Sequence, residues 1–222
     1  MPILTDQLAI YAPPKTGSSW VVRALEASGL RVSLPPYPAG HSARHAPLDR
    51  PAAAALAGDR MTVAMLRHPL PWLASFHAHV CRRRQHVTRD NVLFDGPFAE
   101  LMAAFDPEWE RFLTNLICDC PGAVWRLMRS YAGGPGLTAD RLICSERLAP
   151  GLAGCLVDAG ARCDWEALIN TPPANRTPEP DRQRRGYAPE VVLAIEDTEA
   201  PLLDLLATLT TASRGEEVRN AS

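Results

Sequence analysis

The segment Leu8-Ala9-Ile10-Tyr11-Ala12-Pro13-Pro14-Lys15-Thr16-Gly17-Ser18-Ser19-Trp20 carries the fold. Its first five residues are apolar, and Pro13-Pro14 stops the run. A short β-compatible run ended by breakers reads as a buried strand. From Ser18 to about Ala27 the pattern changes to helix: Trp20 with Ala24 and Val21 with Leu25 are i,i+4 pairs, and Gly29 is a stop signal. A strand therefore feeds a tight turn containing Gly17, and a helix starts at once.

Such a turn has chemistry of its own. The first amides of a helix lack intrahelical partners and, with the helix dipole, favour an anion. Thr16, Ser18 and Ser19 add hydroxyls and Lys15 adds a full charge, a set of residues suited to cradling a phosphate. The usual triphosphate loop, G-x-x-x-x-G-K-[ST], puts lysine after its second glycine. Here Lys15 precedes Gly17 and the first glycine is missing.

The pattern repeats further along. Thr62-Val63-Ala64-Met65-Leu66 reads as a second buried strand, followed by Arg67-His68-Pro69 and a helix from about Pro69 to Val80. Arg67 at the strand's C-terminal end faces the crevice where open α/β sheets take ligands, and its planar fork suits a phosphate. Ser75, about two helical turns on, could donate to the same anion. Arg141-Leu142-Ile143-Cys144 reads as a third strand, with Leu148, Leu152 and Leu156 marking a helix behind it. Between them Trp109, Phe112, Leu113 and Leu116 form one face of a helix, and Ala132 to Gly136 is a Gly-Pro break. Leu34 to Pro51 and Asn170 to Gly186 are Pro-rich and read as loops, with a short helix candidate at Ala52 to Leu56. Val191, Val192 and Ile195, then Leu202, Leu203 and Leu206, close the chain with helix, which Pro201 either kinks or restarts. Alternating strands and helices predict one α/β domain over residues 1–222: three layers, a central parallel sheet between helices, of the P-loop nucleotide-binding type. About 214–222 is expected to fray.

Two motifs together resemble a family. Pro14-Lys15-Thr16-Gly17-Ser18-Ser19-Trp20 is similar to the 5′-phosphosulfate loop of sulfotransferases that use 3′-phosphoadenosine 5′-phosphosulfate (PAPS). Arg67, Pro69 and Ser75 match the family's 3′-phosphate segment, with His68 where Asn is usual. The resemblance implies that Lys15, Thr16, Gly17, Ser18, Ser19, Trp20, Arg67 and Ser75 bind the donor, and that no metal is needed. Arg44-His45-Ala46-Pro47-Leu48 is similar to a family segment whose histidine takes the acceptor's proton. His45 is the favoured base and His41 the alternate. Arg141 to Leu148 resembles a late strand ending in Glu-x-Leu, and Arg184-Arg185-Gly186 an Arg-Lys-Gly segment over the 3′-phosphate. The resemblance spans residues 8–80 and, more loosely, 140–206. Residues 81–139 match no family segment and are expected to build much of the acceptor pocket. The implied reaction is in-line sulfuryl transfer from PAPS to a hydroxyl or amine of a small-molecule or carbohydrate acceptor. An atypical P-loop kinase and a non-catalytic nucleotide-binding protein are the other readings. The kinase needs an Asp on a strand for Mg²⁺, and none follows either early strand.

Composition narrows the classes. The 222 residues carry 22 arginines and one lysine against 25 acids, for a net charge of −2. This excludes a generically basic nucleic-acid binder. With 46% hydrophobic and 22% charged residues the chain is globular in composition. No run of 18 apolar residues predicts a membrane span, and Met1 to Ala12 has no signal-peptide pattern, so a cytoplasmic location is expected. The six cysteines have no zinc-finger spacing and are expected as reduced, mostly buried thiols. His77, His79, Cys81, Arg82, Arg83, Arg84, His86 and Arg89 read either as a solvated face or as a surface attracting an anionic acceptor.

Overall fold

The computed structural model describes residues 2–35, 47–83, 96–173 and 186–220. Four strands form one sheet in chain order: β1 (Ile3–Leu4), β2 (Leu8–Tyr11), β3 (Met61–Leu66) and β4 (Arg141–Cys144). β2, β3 and β4 are parallel, with Ile10 beside Val63 and Met65 beside Ile143. β1 runs antiparallel to β2 and pairs Ile3 with Ile10. The expected central parallel sheet is present and carries an antiparallel edge strand. Two residues are too short for a periodicity signal. The turn that makes the strand is local: the Thr5 hydroxyl accepts the amides of Gln7 (3.2 Å) and Leu8 (2.9 Å).

Alternation along the strands builds two cores. Leu8, Ile10, Val63, Met65 and Ile143 face one way. They meet α1 (Ser18–Ala27), α7 (Leu148–Asp158) and α8 (Trp165–Ile169) through Val21, Leu25, Leu152, Leu156 and Leu168. Ala9, Tyr11 and Leu66 face the other way. That side holds α2 (Pro51–Ala54), α3 (Pro69–Arg83), α4 (Gly96–Ala103), α5 (Trp109–Asp119) and α6 (Ala123–Tyr131). α9 (Pro189–Thr198) and α10 (Ala200–Asn220) complete it. The centre of the sheet is therefore buried on both faces, which is why β2 and most of β3 read as continuous apolar runs, whereas β4 at the edge buries only Ile143 fully. Parallel neighbours need long crossovers, and helices supply them.

Of the two outcomes expected at Pro201, the restart is the one observed. Pro201 starts a new helix: α9 ends at Thr198 and α10 begins at Ala200. α10 continues to Asn220. His77 is no part of a solvated face. It is buried against Phe105, Trp109 and Phe112, and its Nε2 meets the Asp106 carbonyl at 2.8 Å. Arg82 is exposed. All six cysteines are free, but Cys155 alone is fully buried and Cys118 is exposed. No described helix is long and apolar enough to cross a membrane.

A buried acid joins the last two helices to the rest. Glu199, between α9 and α10, is 1% exposed. Its carboxylate accepts the amides of Val124 (3.1 Å) and Trp125 (2.6 Å), the open N-terminus of α6. Burial pushes its acid up to about 7 from 4.5, against the opposing pull of those amides and of Arg126. The protonated form is thus favoured in the folded chain. Stability from this group is complete below about pH 4.5 and is lost as pH rises through about 7. The span corresponds to a change on the order of 3 kcal/mol. Glu199→Gln fixes the neutral form. In urea melts its stability relative to wild type should rise between pH 5 and pH 8, by up to about 3 kcal/mol. A difference that does not vary with pH would contradict this role.

Candidate functional site

The C-terminal ends of β2, β3 and β4 meet at the loop Pro13 to Gly17. Every carbonyl in that loop is held. Pro13 O accepts the Thr16 hydroxyl at 2.6 Å and, more loosely, the Thr16 amide at 3.3 Å. Pro14 O accepts the indole N–H of Trp72 at 2.7 Å. Lys15 O accepts the Arg67 guanidinium. Thr16 O accepts the Ser145 hydroxyl at 2.7 Å. Gly17 O accepts the amides of Trp20 (2.9 Å) and Val21 (3.1 Å) as α1 begins.

This has a direct consequence for the amides. Across a planar trans peptide the carbonyl and the next N–H point in opposite directions. The held carbonyls of Thr16 and Gly17 thus turn the amides of Gly17 and Ser18 away from the protein, whereas the Thr16 amide turns back to Pro13 O. Among the described residues the amides of Gly17, Ser18 and Ser19 take no backbone acceptor. No side chain caps α1. These three donors, with the positive end of the helix dipole, form a cradle whose charge suits an anion.

Two backbone angles let the loop turn. Gly17 has φ 107°, and a Cβ there would lie 2.8 Å from Leu148 Cδ2. Lys15 has φ 68°, a left-handed conformation that costs a non-glycine residue about 1–2 kcal/mol. The Arg67 bond to the Lys15 carbonyl holds that conformation in place. The charged side chain of Lys15 thus leaves the backbone at a constrained angle beside the cradle.

The candidate residues fall into three groups. Lys15, Gly17, Ser18 and Ser19 lie on the cradle itself, with Ser18 half-buried and Ser19 exposed. Thr16 and Trp20 serve its frame. Thr16 is buried and gives its hydroxyl hydrogen to Pro13, and Trp20 packs into the core with its indole N–H on Thr171 O at 3.0 Å. Arg67 follows β3 directly and touches the loop, whereas Ser75 is buried two turns into α3. His41, His45 and Arg184-Arg185 lie outside the described residues.

Four further residues shape the site. Trp72 and Ser145 supply two of the carbonyl donors, and Leu148 closes on Gly17. Glu146 stands beyond β4. It accepts the His68 amide at 3.3 Å and the Cys144 thiol at 2.7 Å, and lies 4.0 Å from Arg67 Nε. The Cys144 thiol is pushed up to about 12, first by burial and then by its bond to Glu146. It is therefore a hydrogen-bond donor at neutral pH and no nucleophile. The sequence signal for Ser145 and Glu146 was their place just past a parallel strand, where ligand-facing residues collect. For Trp72 there was none, because its indole reaches across 58 residues of chain. Among the described residues, no three His, Cys, Asp or Glu side chains gather as a metal group.

No family model matches the chain, and neither a curated protein nor a solved structure does.

Gly17→Ala tests the turn. Leu148 Cδ2 is the tip of a flexible side chain and can move, but the strain at φ 107° cannot be relieved in this way. The variant should lose about 1–2 kcal/mol in urea denaturation, and adding Leu148→Ala should not restore it. Wild-type stability in Gly17→Ala would contradict the observed turn.

Proposed function

We propose that the chain is a PAPS-dependent sulfotransferase acting on a hydroxyl or amine acceptor. The observation that carries this reading is the loop Pro13 to Gly17, with its carbonyls held inward, the amides of Gly17 to Ser19 turned outward, and Lys15 beside them. Its support in the sequence is the match of this loop, and of Arg67, Pro69 and Ser75, to the two donor-binding motifs of that family.

In this reading the protein's tasks are positioning and charge stabilisation, as in phosphoryl transfer. The Lys15 ammonium neutralises charge that grows on the leaving 5′-phosphate oxygen. The amides of Gly17 to Ser19 share it, already oriented before the donor arrives. Arg67 serves twice, bracing the Lys15 carbonyl and meeting the 3′-phosphate with Ser75. An incoming phosphate there competes with Glu146, 4.0 Å from the same guanidinium. His45, with His41 as alternate, removes the acceptor's proton, a contribution of roughly 10²–10⁴-fold in rate. The acceptor is a small molecule or carbohydrate.

One observation favours a second reading. Glu146 is a carboxylate at the end of a parallel strand, where an atypical P-loop kinase would need one for Mg²⁺. Titrating the full chain with PAP and with ATP–Mg²⁺ separates the two. The sulfotransferase reading predicts tighter binding of PAP, and a clear preference for ATP–Mg²⁺ would sink it. A non-catalytic nucleotide-binding protein would bind PAP but transfer no labelled sulfate to any acceptor.

Two variants test the assigned roles. Lys15→Ala should abolish labelled sulfate transfer with an unchanged melting curve, and full activity would remove Lys15 from the mechanism. Arg67→Ala should weaken PAP about 10- to 100-fold. The loss should be clearly smaller for the analogue without a 3′-phosphate, since only the loop brace is then missing. Equal losses would contradict a 3′-phosphate contact.

A further inference from the structure

The orientation of the Gly17 amide is not fixed by the backbone. Turning the Thr16–Gly17 peptide changes ψ of Thr16 and φ of Gly17, and glycine accepts either sign of φ at little cost. At φ 107° Gly17 already sits on the side other residues avoid. A flipped peptide would aim the Thr16 carbonyl, rather than the Gly17 amide, at an incoming anion. An outward carbonyl repels the charge that an outward N–H attracts. Something other than the two hinge residues must therefore choose between the two states.

Ser145 is placed to do so. It is the first residue after β4, and its hydroxyl lies 2.7 Å from Thr16 O and 2.9 Å from Leu66 O. One hydroxyl hydrogen is thus shared between the last carbonyl of β3 and the carbonyl of the loop after β2. Three strand ends are tied at a single atom. Thr16 itself has no say, since its hydroxyl is committed to Pro13 and its side chain is buried.

We infer that Ser145 is a positioning residue of the anion loop: its hydroxyl holds the Thr16 carbonyl toward the sheet and so keeps the Gly17 amide aimed at the donor's 5′-phosphosulfate. This inference rests on the proposed anion-binding role of the loop. It adds β4 to the elements that set donor affinity, without any contact between Ser145 and the donor.

The test reads single amides. In the ¹⁵N-labelled full chain, inorganic sulfate is the probe, and the resonances of Gly17, Ser18 and Ser19 are followed during titration. In wild type all three should move and saturate together. In Ser145→Ala the sulfate affinity should fall about tenfold, as expected for one charge-assisted hydrogen bond. The Gly17 amide should also lose most of its shift while Ser18 and Ser19 keep theirs. Ser145→Cys retains the volume with a poor donor and should behave as Ser145→Ala does. Wild-type affinity and an undiminished Gly17 shift in both variants would overturn the role of Ser145 alone. No saturable shift in wild type would overturn the anion loop and this inference with it. A uniform loss across all three amides would show general loosening rather than one misdirected peptide, and would also overturn it.

Discussion

Five consecutive carbonyls, from Pro13 to Gly17, are held by donors of the protein itself, and the rest of the site depends on this constraint. Each bond is worth only about 1 kcal/mol to the fold. Their collective effect lies elsewhere: the held carbonyls of Thr16 and Gly17 leave the Gly17 and Ser18 N–H groups turned outward. Anion binding by backbone needs this arrangement before the ligand arrives, because amides that must reorganise are weak electrostatic partners. Pro13 and Pro14 fit the scheme, since neither has an amide hydrogen that would need a partner of its own.

The donors come from widely separated parts of the chain, and the sheet brings them together. Parallel order puts the C-terminal ends of β2, β3 and β4 side by side. Arg67 and Ser145 then stand within reach of a loop 52 and 129 residues away. Trp72 enters from the first turn of α3, stacked on Phe76 in the second core. Leu148, at the start of α7, presses on Gly17 from the first. The loop is thus clamped between both cores, so packing on either face reaches the cradle. The charge balance at this edge is mixed. Lys15, Arg67 and the helix dipole favour an anion, and Glu146 offsets part of that near Arg67.

Much of the frame was legible in the sequence because it is written locally. The run Leu8 to Ala12, its Pro-Pro stop and the i,i+4 pairs after Ser18 become β2, the loop and α1. Thr62 to Leu66 becomes a strand for the same reason, and Arg141 to Cys144 pairs beside it at the sheet edge with Ile143 alone fully buried. What was not legible is non-local. β1 is two residues long and exists through pairing. His77 looked like one of a basic cluster and is a core residue, because Phe105, Trp109 and Phe112 close over it from later in the chain. Glu199 gives no sign in sequence that it caps a helix 75 residues earlier. Trp20 and Thr16 belong to a motif that suggests ligand contact, yet their side chains hold the frame.

The single lysine among 23 basic residues can be followed chemically by itself. Arginine fills every other basic position, and the one lysine stands two residues before Gly17. Lysine-directed acylation of the full chain, read by peptide mapping with and without PAP, reports on that one side chain. Lys15 should be acylated in the free protein and protected by PAP in a saturable manner, with adenosine giving no protection. Acylation of Lys15 at the same rate with and without saturating PAP would contradict it.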